Sequence, residues 1–214
     1  SLDKAALAQR FMALDETKQA VFLQKLGEKG IPFERLPIVA GDRPNRIPLA
    51  PAQQRLWTIH QLEPDNTAYH LIAAFELNGM LDVSRLLRAL DAVVQRHESL
   101  RTRFIEVGGE PRQRILDADT VAIEWQDLSE EIGADAAARS HQHEALQHEA
   151  LTRPFDLAAD DLLRVQVLKL TAQRYYLLLV QHHIIGDGVS MQRLLTELSE
   201  LYQRAHQGET LAAN

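Results

Sequence analysis

Apolar residues recur at helical spacing near the start of the chain, first Leu7, Phe11 and Leu14 and then Val21, Phe22 and Leu26. This predicts a helix in two pieces over residues 3–29, with Asp15 as the second N-cap and Gly27 and Gly30 as stop signals. From Ile31 to Pro51 the string IPFERLPIVAGDRPNRIPLAP is broken by prolines, a glycine and charges. No regular element is expected there, so residues 1–30 read as a helical lead-in, either a tether or docking segment or an extra packed layer, and 31–51 as a linker. Residues 52–214 are the body.

Within the body the period changes repeatedly. Residues 52–62 suggest a short helix, and Tyr69–Leu77 a strand ended by Asn78-Gly79. Asp82 is placed to cap a helix with Leu86, Leu87, Leu90, Val93 and Val94 on one face. Arg103–Val107 and Arg112–Leu116 read as a hairpin through Gly108-Gly109, and Val121–Trp125 as a further strand. Residues 134–152 carry no Gly or Pro and are expected to be helical up to Pro154. Leu163–Leu170 and Tyr175–Ile185 read as strands, the run YYLLLV predicting a central one buried on both faces. Met191, Leu194, Leu195, Leu198, Leu201 and Tyr202 mark the apolar face of a last helix. The fold class is α+β, a layered helix and sheet structure.

Composition narrows the chemistry. With 45% apolar and 25% charged residues and a net charge of −7, the chain is globular and unsuited to nucleic acid or an anionic membrane. It has no apolar run near the roughly 18 residues that span a bilayer, and SLDKAALAQR lacks a signal-peptide core, so a cytoplasmic protein is expected. The absence of Cys removes disulfides, thiolate metal sites and a cysteine nucleophile. Nine histidines remain. His141, His143 and His148 are spaced two and five apart on one predicted helix, which does not bring them to a shared face, and no metal is expected there.

The segment Gln181-His182-His183-Ile184-Ile185-Gly186-Asp187-Gly188 is the densest in chemistry. It is a strand, turn and helix with ionisable groups at the turn. Successive strand residues point to opposite faces, so one imidazole should enter the packing and the other a cleft, which disfavours a two-histidine metal site. A single imidazole acting as base or hydrogen-bond acceptor near neutral pH fits better. Asp187 could orient its neighbours by pairing with an Arg, and Gly186 and Gly188 could take positive φ and turn N–H groups toward a developing oxyanion.

HHIIGDG resembles the HHxxxDG signature of condensation domains of nonribosomal peptide synthetases, which have the chloramphenicol-acetyltransferase-like fold. LAPAQQRLW at Leu49–Trp57 resembles the opening motif of that family, with Ala50 where Ser is usual. RHESLRTRF at Arg96–Phe104 resembles the second motif, and PFDL at Pro154–Leu157 is also typical. The family's domain has two lobes and is roughly twice as long, so the resemblance implies the N-terminal lobe only, with an exposed, half-built site inactive by itself. It implies amide formation between thioesters held on the phosphopantetheine arms of donor and acceptor peptidyl carrier proteins, with no cofactor bound by the chain. The C-terminal lobe and adjacent synthetase domains are the other implied partners. By the same resemblance His183 is catalytic, His182 and Asp187 are supports, and Gly188 N–H is a donor to the substrate carbonyl. Arg55, Arg96 and Arg101, with Trp57 and His97, are expected to brace the site through buried hydrogen bonds, with helix-end capping an equal reading for His97. Alternatives are an epimerization domain, another acyltransferase of the same fold, or a non-catalytic carrier-protein docking module. A cyclization domain would carry Asp in place of His182.

Overall fold

The computed structural model describes residues 3–41, 43, 47–119, 121–129, 136–206 and 211. The chain forms two compact units, Ser1–Asn45 and Arg46–Asn214.

The first unit is built on two helices, α1 (Lys4–Met12) and α2 (Glu16–Glu28). Asp3 caps α1 by accepting the N–H groups of Ala5 and Ala6, and Asp15 caps α2 by accepting that of Lys18. The Phe11 ring lies 5.8 Å from Phe22 and 5.0 Å from Phe33. Gly30, at φ +65°, ends α2 with the Ile31 N–H on the Leu26 carbonyl and its own N–H on the Gly27 carbonyl, a reciprocal pair that needs a left-handed residue. Gly27 is therefore no stop signal; it lies inside α2. The linker is not wholly irregular either. Phe33–Arg35 form a 3-10 turn, and Ile47–Pro48 form a two-residue strand, β1.

The second unit continues with α3 (Pro51–Leu62), β2 (His70–Asn78) and α4 (Val83–Arg96), then a 3-10 turn at Glu98–Arg101. β3 (Thr102–Val107), β4 (Glu110–Ile115), β5 (Ile123–Asp127) and α5 (Ala136–Thr152) follow. The unit closes with β6 (Leu163–Thr171), β7 (Arg174–His182), a 3-10 turn at His183–Ile185 and α6 (Gly188–His206). The expected start of α5 at residue 134 lies outside the described residues. One sheet has the order β1-β4-β3; the other is β2-β7-β6-β5, antiparallel except for the parallel β5/β6 pair. Gly108 and Gly109, at φ +64° and +82°, make the two-residue turn between β3 and β4, the backbone shape that matches strand twist and that side chains resist.

β7 is central and buried from Tyr175 to His182, as its unbroken apolar run predicts. Alternate β7 side chains serve two layers. α6 packs on α4 and touches β2, and α5 lies against β6 and β7. Asp82 caps α4 through the Arg85 N–H, and the helix buries Leu86, Ala89, Leu90, Ala92, Val93 and Val94. These join Val167, Leu179, Leu194 and Leu198 in one core, and burial of that apolar stripe, more than propensity, holds α4 in place. No helix among the described residues is long and apolar enough to cross a membrane.

Candidate active site

The sheet ends and the site begins at the same residue. His182 is the last residue of β7, paired with His70 of β2, and its N–H reaches the Leu162 carbonyl at 3.0 Å. The next N–H, of His183, turns the other way to the Tyr69 carbonyl at 2.8 Å. The chain then tightens into the 3-10 turn because His182 Nδ1 accepts the Ile184 N–H at 3.0 Å, so β7 stops three residues before the expected Ile185. The two imidazoles part accordingly: His182 is 3% exposed and His183 is exposed.

His182 is surrounded by rings. Its imidazole centre lies 6.1 Å from His60 of α3, 6.2 Å from His70 and 6.1 Å from Phe155 of the PFDL segment. Arg164 stacks over Phe155 at 3.7 Å and donates to the carbonyls of Arg153 and Pro154, which fixes that segment. Burial pushes the His182 pKa down to about 3, and the neighbouring His70, His60 and His183 push the same way. Burial likewise lowers His60 and His70, opposed by Asp156 in one case and by the Leu151 carbonyl in the other.

These shifts carry a sign. The unfolded chain binds protons at these positions below about pH 6.5, whereas folded His182 stays neutral down to about pH 3. Their stabilising contribution is complete above about pH 6.5 and is lost as pH falls below it. Urea titrations are expected to give a lower midpoint at pH 5.2 than at pH 7.5, above the range where most carboxylates titrate. A midpoint that rises on acidification contradicts the neutral cluster.

The two glycines beside Asp187 serve different ends, and neither takes positive φ. Gly186 is extended at φ −179°. A Cβ there would lie 2.3 Å from Gln181 Nε2 and 2.5 Å from Ser190 Oγ, so the residue is small because neighbouring side chains close over it. Gly188 opens α6, with nothing within 4 Å of a Cβ position. Its N–H belongs to the first turn, where amides have no acceptor within the helix and the dipole favours negative charge.

Asp187 caps α6, and among the described residues no Arg forms an ion pair with it. Its Oδ1 accepts the Ser190 N–H at 2.8 Å, while Ser190 Oγ accepts the Asp187 N–H at 2.6 Å. That bonding holds the carboxyl below its usual range. Asp187→Ala is expected to lower the melting temperature by a few degrees, with Asp187→Asn recovering most of the loss, since Asn caps nearly as well. Equal melting of Asp187→Ala and the parent chain would show the cap to be idle.

The other motif residues tie neighbouring elements together, and Gln53 reaches the turn itself. Gln53 of α3 accepts the Ala50 N–H at 2.9 Å and donates to the Ile184 carbonyl at 3.3 Å. The first bond is one half of a capping box; Ala50 has no side-chain acceptor for the other half. Arg96 and His97 both reach Glu197 of α6, at 3.5 and 2.7 Å. His97 is also the C-cap residue of α4. Arg101 donates to the Leu116 carbonyl at 2.5 Å and faces Glu98. His97, Ser99 and Leu100 share a cavity of about 160 Å³ with Gln181, Ile185 and Ser190. Trp57 packs on the core edge. Arg55 and Arg96 depart from the expected buried bracing: Arg55 stands exposed on α3, and Arg96 is exposed at the end of α4, its contact with Glu197 lying at the surface. On α5, His143 meets the Tyr176 ring while His141 and His148 are exposed. Among the described residues no group of three His, Cys, Asp or Glu is arranged to hold a metal.

Residues 44–214 match the family model described as "Condensation domain". The chain belongs to the condensation domain family. Relatives include a linear gramicidin synthase protein of Brevibacillus parabrevis, 37% identical over 207 residues, 97% of this chain and 4% of that protein. A plipastatin synthase protein of Bacillus subtilis (strain 168) is 38% identical over 172 residues, 80% of this chain and 6% of that protein. Among solved structures, the starter condensation domain of rhizomide synthetase is 22% identical with a TM-score of 0.69, the match covering 78% of this chain and 40% of that one. The first condensation domain of the calcium-dependent antibiotic synthetase, in complex with a substrate analogue, is 25% identical with a TM-score of 0.67, covering 80% and 40%. The chloramphenicol-acetyltransferase-like fold is thus present, and this condensation-domain chain spans about two fifths of those solved chains and a few per cent of the synthases. The gramicidin synthase match takes in most of the helical lead-in as well as the body.

Proposed function

We propose that the chain is the histidine-bearing, N-terminal part of a condensation domain that joins two carrier-protein-bound thioesters through an amide bond. The observation that carries this reading is the exposed His183 ring at the strand-turn-helix of a segment matching that family. The acceptor amine attacks the donor thioester carbonyl; a C–N bond forms, charge collects on the carbonyl oxygen, and the donor arm leaves as its thiolate. The proton given up by nitrogen passes to the His183 imidazole and on to the departing sulfur. The first-turn amides of α6, Gly188 among them, meet the oxyanion. His182 and Asp187 hold the turn, and the side chains of Arg96 and Arg101 brace the elements behind it. With no serine or cysteine nucleophile beside the imidazole, no acyl-enzyme is invoked. Holding both phosphopantetheine arms in one tunnel supplies proximity of about 7–11 kcal/mol.

A partial reading accompanies it. Because the chain spans two fifths of the solved condensation domains, its own chemistry in isolation is carrier binding without turnover, a C-terminal lobe and the adjacent synthetase domains completing the site. Two incubations test both readings. The intact parent synthetase, given aminoacyl-loaded donor and acceptor carriers, is expected to build a dipeptidyl thioester on the acceptor, while the 214-residue chain alone binds carrier and makes none. Amide from the chain alone overturns the partial reading. Solvent deuterium entering the aminoacyl α-carbon without amide formation marks an epimerase and overturns the first.

A further inference from the structure

The imidazole cluster beneath the turn holds two rings whose backbone neighbours each favour one tautomer. His70 Nδ1 lies 3.3 Å from the Leu151 carbonyl. A carbonyl only accepts, so Nδ1 carries the proton and Nε2 of the neutral ring is a lone pair. That Nε2 is buried and has no hydrogen-bond partner among the described residues. Across the β2/β7 pair stands His182, in direct register with His70. Its Nδ1 accepts the Ile184 N–H, so this ring is protonated on Nε2. His70 thus has a buried acceptor to satisfy, and His182 carries its N–H on Nε2.

We infer that His70 is a positioning residue for His183: its Nε2 accepts, through one water, the Nε2–H of His182. Donation then runs in a single direction, from the Ile184 N–H to His182, from His182 to His70, and from His70 to the Leu151 carbonyl at the end of α5. Ring centres 6.2 Å apart are too far for a direct bond of about 3 Å, which is why a water is required. Of the charged groups and rings facing the cluster, Arg164 and the neighbouring imidazoles favour neutral rings, and Asp156 opposes them at His60. His60 stands on the α3 side at 6.1 Å from His182, with Asp156 acting on it; Arg164 acts on His70; Phe155 closes the remaining side. The consequence lies in the turn. If His182 moved its proton to Nδ1, two donors would face each other at the Ile184 N–H, and the 3-10 turn that begins at His183 would open. His70 removes that option by requiring the proton on Nε2, as a carboxylate fixes the tautomer of a catalytic imidazole.

The inference rests on the catalytic reading of His183 for its consequence, but its first test does not. Nitrogen-15 correlation spectra of the histidine rings in the 214-residue chain at about pH 7.5, where neutral rings prevail, are expected to show His182 as the Nε2–H and His70 as the Nδ1–H tautomer. Either ring in the opposite form overturns the relay. In His70→Leu, His182 is expected to populate both tautomers, and in His70→Asn, which keeps a donor and an acceptor, to return to Nε2–H. An unchanged His182 tautomer in a folded His70→Leu chain also overturns it; if that variant does not fold, the wild-type and His70→Asn spectra decide. In the intact parent, His70→Leu should lower kcat at least tenfold with carrier KM within twofold, and His70→Asn should recover most of it. Correct tautomers in a parent that forms no amide would leave the relay standing and sink the proposed function.

Discussion

His183→Ala in the intact parent synthetase is expected to lower amide formation by about 10²–10⁴-fold, the range over which a positioned acid–base group acts. Stability should move by no more than about 0.5 kcal/mol, because the ring is exposed and its main-chain bond to Tyr69 survives the substitution. The pairing of the two readouts is the point. His182, one residue earlier, is buried among His60, His70 and Phe155, so its alanine variant loses packing and activity together. If His183→Ala retains full turnover, proton transfer at this position is not part of the reaction, and proximity and the α6 amides carry it. Loss of activity accompanied by a large fall in melting temperature would assign the residue to structure instead.

Gly186→Ala is expected to destabilise the chain by about 1–3 kcal/mol, the usual range for overpacking, whereas Gly188→Ala leaves stability unchanged or slightly raised. The first adds a methyl 2.3 Å from Gln181 Nε2 and 2.5 Å from Ser190 Oγ. Gln181 is 1% exposed and has nowhere to swing, and Ser190 Oγ is held by the Asp187 N–H, so the clash is relieved by shifting the turn itself. At 214 residues that corresponds to a loss of several degrees in melting temperature. The second substitution meets open space and replaces glycine in a helix by its best former. Thermal unfolding of both variants decides the matter: similar melting of the two would mean that Gly186 is not closed over by its neighbours. The turn shift should also lower amide formation in the parent, because His183 opens the same 3-10 turn.

Much of this architecture was legible in the order of residues. Asp15 and Asp82 cap where they were expected to, because a short carboxylate just before an apolar period has one favourable use. The run YYLLLV placed β7 at the centre, and Gly108-Gly109 marked the turn, since both reflect local demands. What stayed hidden depends on distant partners. His60 and His70 carry no signal of their own; only the β2/β7 register and the packing of α3 bring them to His182. Gly186 suggested conformational freedom, but its reason is the closeness of Gln181 and Ser190, which no local pattern records. Gly27 read as a breaker yet lies within α2, because the reciprocal bonds around Gly30 end the helix one turn later.

The pairing of His70 with His182 also sets an order of events at birth. β2 leaves the ribosome with its partner still unmade, and the strand that completes it follows roughly a hundred residues later, some 5–20 s at ordinary elongation rates. Closing so long a loop is among the slower acts of folding. The nascent chain therefore holds an unpaired β2 for those seconds, and the four-ring cluster forms only after β7 has been made.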